Sequence, residues 1–193
     1  MTVTEYQDSE QKKLAELSRM GYRYLKKGEL TAAINAFMEI LDIEPNNHYA
    51  LVGIGDAYRK KLRFDEAINY YEHCLRFHPH NNYALFGLAD AYRQQHQFSR
   101  AIDVWEKYLK YDSQNVTVLT RVADAYQKVR NVRQAEKLYE QVLEIEPQNA
   151  YALTGLGHLY YHLHNYVRSL EYWHKIYREQ NSLTDIRVLT SIG

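Results

Sequence analysis

Three carboxylates stand at a fixed interval in this sequence: Asp56, Asp90 and Asp124, each opening an Asp-Ala-Tyr tripeptide and each 34 residues from the next. An ionised carboxylate only accepts hydrogen bonds. Such a ladder therefore suits the backbone N–H groups of an extended segment, or its Lys and Arg side chains. Histidine offers a second chemistry. His158 and His162 stand four apart, on one face of any helix, His164 follows, and Asp124 lies one interval before His158. A zinc site needs three or four convergent ligands, and the reading favoured here is a surface rich in polar aromatics, with no metal. Cys74 and His78 also stand four apart, but Cys74 falls on the apolar stripe of its helix and reads as a buried thiol. There is no glycine-rich phosphate loop, nucleophile elbow or sequence context for a Ser/His/Asp triad. Neither catalysis nor a cofactor is expected.

The bulk numbers narrow the classes further. Lys and Arg total 24 of the 193 residues and Asp and Glu also total 24. That balance argues against a dedicated nucleic-acid or anionic-membrane surface, which carries an excess of basic residues. The single cysteine permits no internal disulfide. The opening "MTVTEYQDSEQKK" is polar and holds acids, unlike a secretory signal. No apolar run reaches the roughly 20 residues that span a bilayer. A reducing, soluble, cytoplasmic setting is the expectation.

The interval between the aspartates belongs to the whole chain. Tyr24, Tyr58, Tyr92, Tyr126 and Tyr160 keep it, as do Ala33, Ala67, Ala101, Ala135 and Ser169. So do the aromatic residues Phe37, Tyr71, Trp105, Tyr139 and Trp173, and the small residues Gly21, Gly55, Ala89, Ala123 and Gly157. Pro45, Pro79 and Pro147 mark the same period, with Ser113 at the vacant step. Apolar residues within each copy recur at helical spacing in two segments. Where a proline follows, the second segment stops before it, since proline cannot continue a helix. "EPNN", "HPHN" and "EPQN" then read as linkers.

Leu51-x2-Ile54-Gly55-x2-Tyr58, followed by Ala67-x3-Tyr71 and Pro79, resembles the tetratricopeptide repeat. The resemblance covers five copies: residues 14–47, 48–81, 82–115, 116–149 and 150–183, preceded at 1–13 by the start of the first helix. It implies an all-α fold, a right-handed superhelical α-solenoid of antiparallel helix pairs with the first helices on the concave side. Two departures stand out. Leucine (Leu17, Leu51, Leu85, Leu119, Leu153) replaces the usual tryptophan. The glycine of the intra-repeat turn survives only as Gly28, with Leu62, His96, Arg130 and His164 in the other copies. That leaves the conformation of those turns open.

The resemblance also assigns columns to the concave face: Tyr49, Tyr83, Thr117 and Tyr151; Val52, Phe86, Thr120 and Thr154; Gly53, Gly87, Arg121 and Gly155; Asp56, Asp90, Asp124 and His158; Arg59, Arg93, Gln127 and Tyr161. The expected partner-binding residues are Tyr49, Val52, Asp56, Arg59, Tyr83, Phe86, Asp90, Arg93, Thr120, Asp124, Gln127, Tyr151, His158 and Tyr161. The bland account of the charges is local pairing: Asp56 with Arg59 or Lys60, Asp90 with Arg93, Asp124 with Lys128. Such pairs stabilise a helix by only about 0.2–0.5 kcal/mol, so removing the three aspartates should leave helicity nearly unchanged. Gly53, Gly87 and Gly155 each cost a helix roughly 1 kcal/mol relative to alanine, which points either to tight helix packing or to close approach of a ligand backbone. Some members of the family grip a terminal carboxylate with Lys and Asn. Here aspartates stand at the Asn place and would repel it.

The leading expectation is a protein–protein interaction scaffold that holds a peptide segment in its groove. A self-assembling array module is the alternative, and RNA binding is disfavoured by the neutral charge. "RVLTSIG" at 187–193 is similar to "YALTGLG" at 151–157, so residues 184–193 read as the opening of a sixth repeat, and a homodimer through this end is expected.

Overall fold

The computed structural model describes residues 3–180, and their side chains over residues 10–177. All regular structure among these residues is helical. The order is α1 (Val3–Lys27), α2 (Leu30–Ile43), α3 (His48–Lys60), α4 (Phe64–Phe77), α5 (Asn82–Gln94), α6 (Phe98–Leu109), α7 (Val116–Lys128), α8 (Val132–Ile145), α9 (Ala150–His162) and α10 (Tyr166–Gln180). The expected sixth repeat and the dimer through it lie outside the described residues.

The chain divides into two compact units, Met1–Val104 and Trp105–Gly193, with the division inside α6. In the first unit α1 pairs with α2 and α3 with α4; α2 packs on α3 and α4 on α5. The first helices also touch one another, α1 with α3 and α3 with α5, whereas α2 and α4 have no comparable contact. The first helices thus line the inner side of this unit. In the second unit α7 pairs with α8, α9 with α10, α8 packs on α9, and α7 touches α9.

Local chemistry sets the helix ends. Asn47, Asn81, Asn115 and Asn149 precede α3, α5, α7 and α9, and each side-chain oxygen accepts the N–H three residues on, at 3.1, 2.9, 3.1 and 3.0 Å. An asparagine cap of this kind stabilises a helix by about 1 kcal/mol over alanine. Asn47, Asn81 and Asn149 of this 34-spaced column close the segments that the sequence marks as linkers. The second helices α4 and α8 close on His78 and Glu146, whose backbone leaves the helical region just before Pro79 and Pro147.

The intra-repeat turns all close the same way despite losing glycine. Gly28 has φ +80°, and Leu62, His96, Arg130 and His164 have φ between +57° and +62°. The next N–H, on Glu29, Arg63, Gln97, Asn131 and Asn165, donates to the carbonyl of Tyr24, Tyr58, Tyr92, Tyr126 and Tyr160 at 2.9–3.0 Å. This is the Schellman closure, which requires the left-handed residue whatever its side chain.

Aromatic rings of the second helices fill slots between successive first helices. A Cβ built on Gly21 or Gly53 would lie 2.6 or 2.4 Å from the Phe37 ring. One on Gly55 or Gly87 would lie 2.6 or 2.3 Å from the Tyr71 ring, and one on Gly155 would lie 2.4 Å from Tyr139. Of the two accounts of Gly53, Gly87 and Gly155, the contacts identify helix packing: the space is occupied by the chain's own rings. At Ser169, where the other repeats carry alanine, the hydroxyl donates to the Gly157 carbonyl at 2.9 Å, so this buried polar group is satisfied.

Candidate functional site

In the first unit the inner face is built from α3 and α5, and its polar floor is a single hydrogen-bonded network. Tyr71 comes from α4; its ring is fully buried and its hydroxyl emerges beside the gap left by Gly55 and Gly87. There it donates to Asp56 Oδ1 at 2.7 Å. Arg59, one helical turn beyond Asp56, reaches Asp56 Oδ1 with Nη2 at 3.4 Å and Asp90 Oδ2 with Nη1 at 3.0 Å. Arg93 donates to Asp90 Oδ1 through Nε at 3.1 Å and Nη2 at 2.9 Å. Asp90 is therefore clamped by two guanidinium groups, one from its own repeat and one from the repeat before.

Burial separates the members of this network. The Asp90 side chain is 5% exposed, against 31% for Asp56, 28% for Arg59 and 34% for Arg93. A partner approaching this face meets the arginines before it meets Asp90. Two turns before Asp56 and Asp90 on the same helices stand Tyr49 and Tyr83, 55% and 79% exposed. Val52 is buried and Phe86 is half-buried. Tyr22, at the position of α1 equivalent to Asp56, donates to the Tyr49 carbonyl at 3.2 Å and packs edge-on against Phe37. Burial first, and then the charge of Asp56, push its phenol up to about 12.

The second unit repeats part of this pattern. The Tyr139 hydroxyl donates to Asp124 Oδ1, with Gln127 Oε1 3.5 Å away. Thr120 turns inward, its hydroxyl donating to the carbonyls of Val116 and Thr117, both at 2.9 Å. Tyr151 is 81% exposed. His158 packs edge-on against Trp173 and Tyr161 lies tilted on the same indole, at ring separations of 5.7 and 5.8 Å. Burial lowers the pKa of His158 below the usual imidazole value, and the nearby His162 lowers it further.

No group of three His, Cys, Asp or Glu among the described residues could hold a metal ion. Cys74 is buried, and burial alone pushes its thiol up to about 11. His78 instead meets the Asn46 carbonyl through Nε2 at 2.9 Å. No described helix is long and apolar enough to cross a membrane.

Two features of the site lay outside the sequence reading. One is the link from Arg59 to Asp90, which joins neighbouring repeats. The other is the polar role of Tyr71 and Tyr139, assigned by their column to the core alone. A signal for the second exists: where the second helix carries tyrosine, the residue 15 positions earlier is aspartate (Asp56 and Tyr71, Asp124 and Tyr139).

The tetratricopeptide repeat model matches the chain over residues 18–82, 53–116 and 121–182. Among solved structures the chain is similar to a tetratricopeptide repeat protein from Parabacteroides merdae ATCC 43184, with 21% identity and a TM-score of 0.84 over 93% of this chain and 70% of that one. It is also similar to MamA from Desulfovibrio magneticus RS-1, residues 41 to the end, with 17% identity and a TM-score of 0.81 over 88% of this chain and 98% of that one. A further MamA structure gives 19% identity and a TM-score of 0.80 over 88% of this chain and 92% of that one. At these identities the likeness shows the fold. No curated protein matches the chain in sequence.

Proposed function

The chain belongs to the tetratricopeptide repeat family, and we propose that it is a non-enzymatic scaffold that holds an extended peptide segment of a partner protein on the inner face that the first helices form within a unit. One observation carries this reading: tyrosines recur at the same exposed position near the start of α3, α5 and α9, where Tyr49, Tyr83 and Tyr151 are 55%, 79% and 81% exposed. Solubility does not call for large aromatic rings in water, and tyrosine is enriched where proteins bind one another. The ring supplies apolar area with few rotatable bonds, and the hydroxyl stays available for hydrogen bonding.

The polar network two turns along the same helices supports the same reading. Asp56, Arg59, Asp90 and Arg93 hold one another in place before any partner arrives, and a pre-organised surface loses less entropy on binding. Asp124, Gln127, His158 and Tyr161 occupy the corresponding columns of the second unit, and Thr120 stands one turn before Asp124.

The test pans the full chain against short random peptides displayed on phage and measures the enriched peptides by fluorescence anisotropy. Changing Tyr49 and Tyr83 together to Ala should weaken binding by about tenfold or more, as expected for loss of aromatic anchors, with an unchanged melting temperature because both rings are exposed. Unchanged affinity, or no enriched peptide, would overturn the reading.

A further inference from the structure

The reading above leaves the chemistry of the peptide open, and the burial order within the α3–α5 network addresses it. We propose that this face selects an acidic segment, with Asp or Glu carboxylates of the partner seated on the outer edges of Arg59 and Arg93 and the peptide chain lying across Tyr49 and Tyr83. The inference rests on the proposed peptide-binding role and deepens it.

The formal charge of the network is balanced, but its layering is not. Asp90 lies beneath, 5% exposed, with Oδ1 taken by Arg93 and Oδ2 by Arg59. It is a counter-charge that fixes two guanidinium groups rather than a surface that a ligand could reach. Arg93 turns Nε and Nη2 toward Asp90. A guanidinium has five N–H donors in a planar fork, so both arginines keep donors for a second carboxylate. Pairing of guanidinium with carboxylate is the strong, bidentate kind of contact.

Only Asp56 places a part-exposed carboxylate among these groups, and it already accepts from Tyr71 and Arg59 on one oxygen. A basic peptide would have to displace the arginines or sit against them with like charge. An acidic one adds to an arrangement already oriented for it. At the other end of the face Arg19 lines the same cleft as Tyr49, a space of about 430 Å³ that also includes Ser18 and Glu44. Glu44 is engaged there by the Asn47 side-chain amide at 2.6 Å.

The experiment uses the full chain and the peptides enriched from the random library. The expected result is an excess of Asp and Glu in the enriched sequences. Replacing those acids by Lys in the synthetic peptide should lower affinity by about tenfold or more, and affinity should fall as salt is raised. Arg59→Gln and Arg93→Gln should each erase the preference for the acidic peptide over its Lys counterpart, a change that a purely structural arginine would not produce. If either variant melts early, the peptide substitution against the unaltered protein decides alone. Enriched peptides that are neutral or basic would overturn the acidic assignment while leaving the peptide-binding role intact. Failure to enrich any peptide would overturn both.

Discussion

The Tyr71 hydroxyl donates to Asp56 Oδ1 at 2.7 Å, joining a fully buried ring on a second helix to a surface carboxylate 15 residues earlier on the first. The same step of 15 joins Tyr139 to Asp124, sets Tyr22 edge-on against Phe37, and sets His158 edge-on against Trp173. Asp56 and Asp124 stand opposite a phenol, and Tyr22 and His158 set a ring opposite a residue without one; Asp90 departs from this, since Trp105 stands 15 residues on. At those four positions the column that first suggests ligand chemistry is also matched to its own repeat's core.

Asp90 should cost more to remove than Asp56. Asp90→Ala removes the carboxylate that Arg59 and Arg93 share, leaving Arg59 with Asp56. Both arginines keep some solvent, so the expected cost is about 1–2 kcal/mol, below the value for a fully buried pair. Asp56→Ala removes the acceptor of the buried Tyr71 hydroxyl and should cost about 1 kcal/mol. Urea unfolding of the two variants checks the order. The local pairing of Asp90 with Arg93 is joined by Arg59 from the preceding repeat, so more than a local pair is lost at this position.

Gly53→Ala should destabilise by about 1–2 kcal/mol. Overpacking against the Phe37 ring costs roughly 1–3 kcal/mol, and the better helix propensity of alanine recovers up to about 1 kcal/mol. Phe37→Leu in the same chain should relieve the clash. A double-mutant cycle by chemical denaturation should show coupling of about 0.5 kcal/mol or more between the two positions.

Leu62→Gly should stabilise the chain. Leu62 holds φ +60° in an exposed turn, a conformation that costs an ordinary residue roughly 1–2 kcal/mol. The extra freedom of glycine in the unfolded chain takes back part of that gain. A net rise of about 0.5–1 kcal/mol is expected, read as a higher melting temperature, and Arg130→Gly at φ +62° should behave alike.

Stability should fall in alkali, beginning near the ordinary phenol value. Burial, and then the charge of Asp56 or Asp124, raises the pKa of Tyr71 and Tyr139. Burial, with a hydrogen bond to Glu72 or Glu136, brings Tyr92 and Tyr160 to about 12. The native state holds these protons after the unfolded chain has released them. The contribution is therefore complete below about pH 10 and declines above it, by about 1.4 kcal/mol per pH unit for each buried phenol. Melting temperatures across the alkaline range should drop. Tyr71→Phe should flatten the decline.

The sequence by itself determined the repeat, its helices and the face each helix presents, because these depend on residue spacing along one chain. A period of 34 residues and the helical recurrence of Leu51, Ile54 and Tyr58 suffice for that. The asparagine column at Asn47, Asn81, Asn115 and Asn149 was equally legible in principle, since a cap acts on its own helix. Tertiary structure alone decided which groups meet between helices. The carboxylates of Asp56 and Asp90 share one column and one tripeptide, yet Asp90 is buried and Asp56 is half-exposed. The difference arises from Arg59, which leans from α3 onto α5, and from Arg93, which closes over the same carboxylate. Periodicity gives the direction of a side chain from its helix axis. The partner it reaches depends on helix separation and on the rotamers of long side chains, and those are set only when the helices pack.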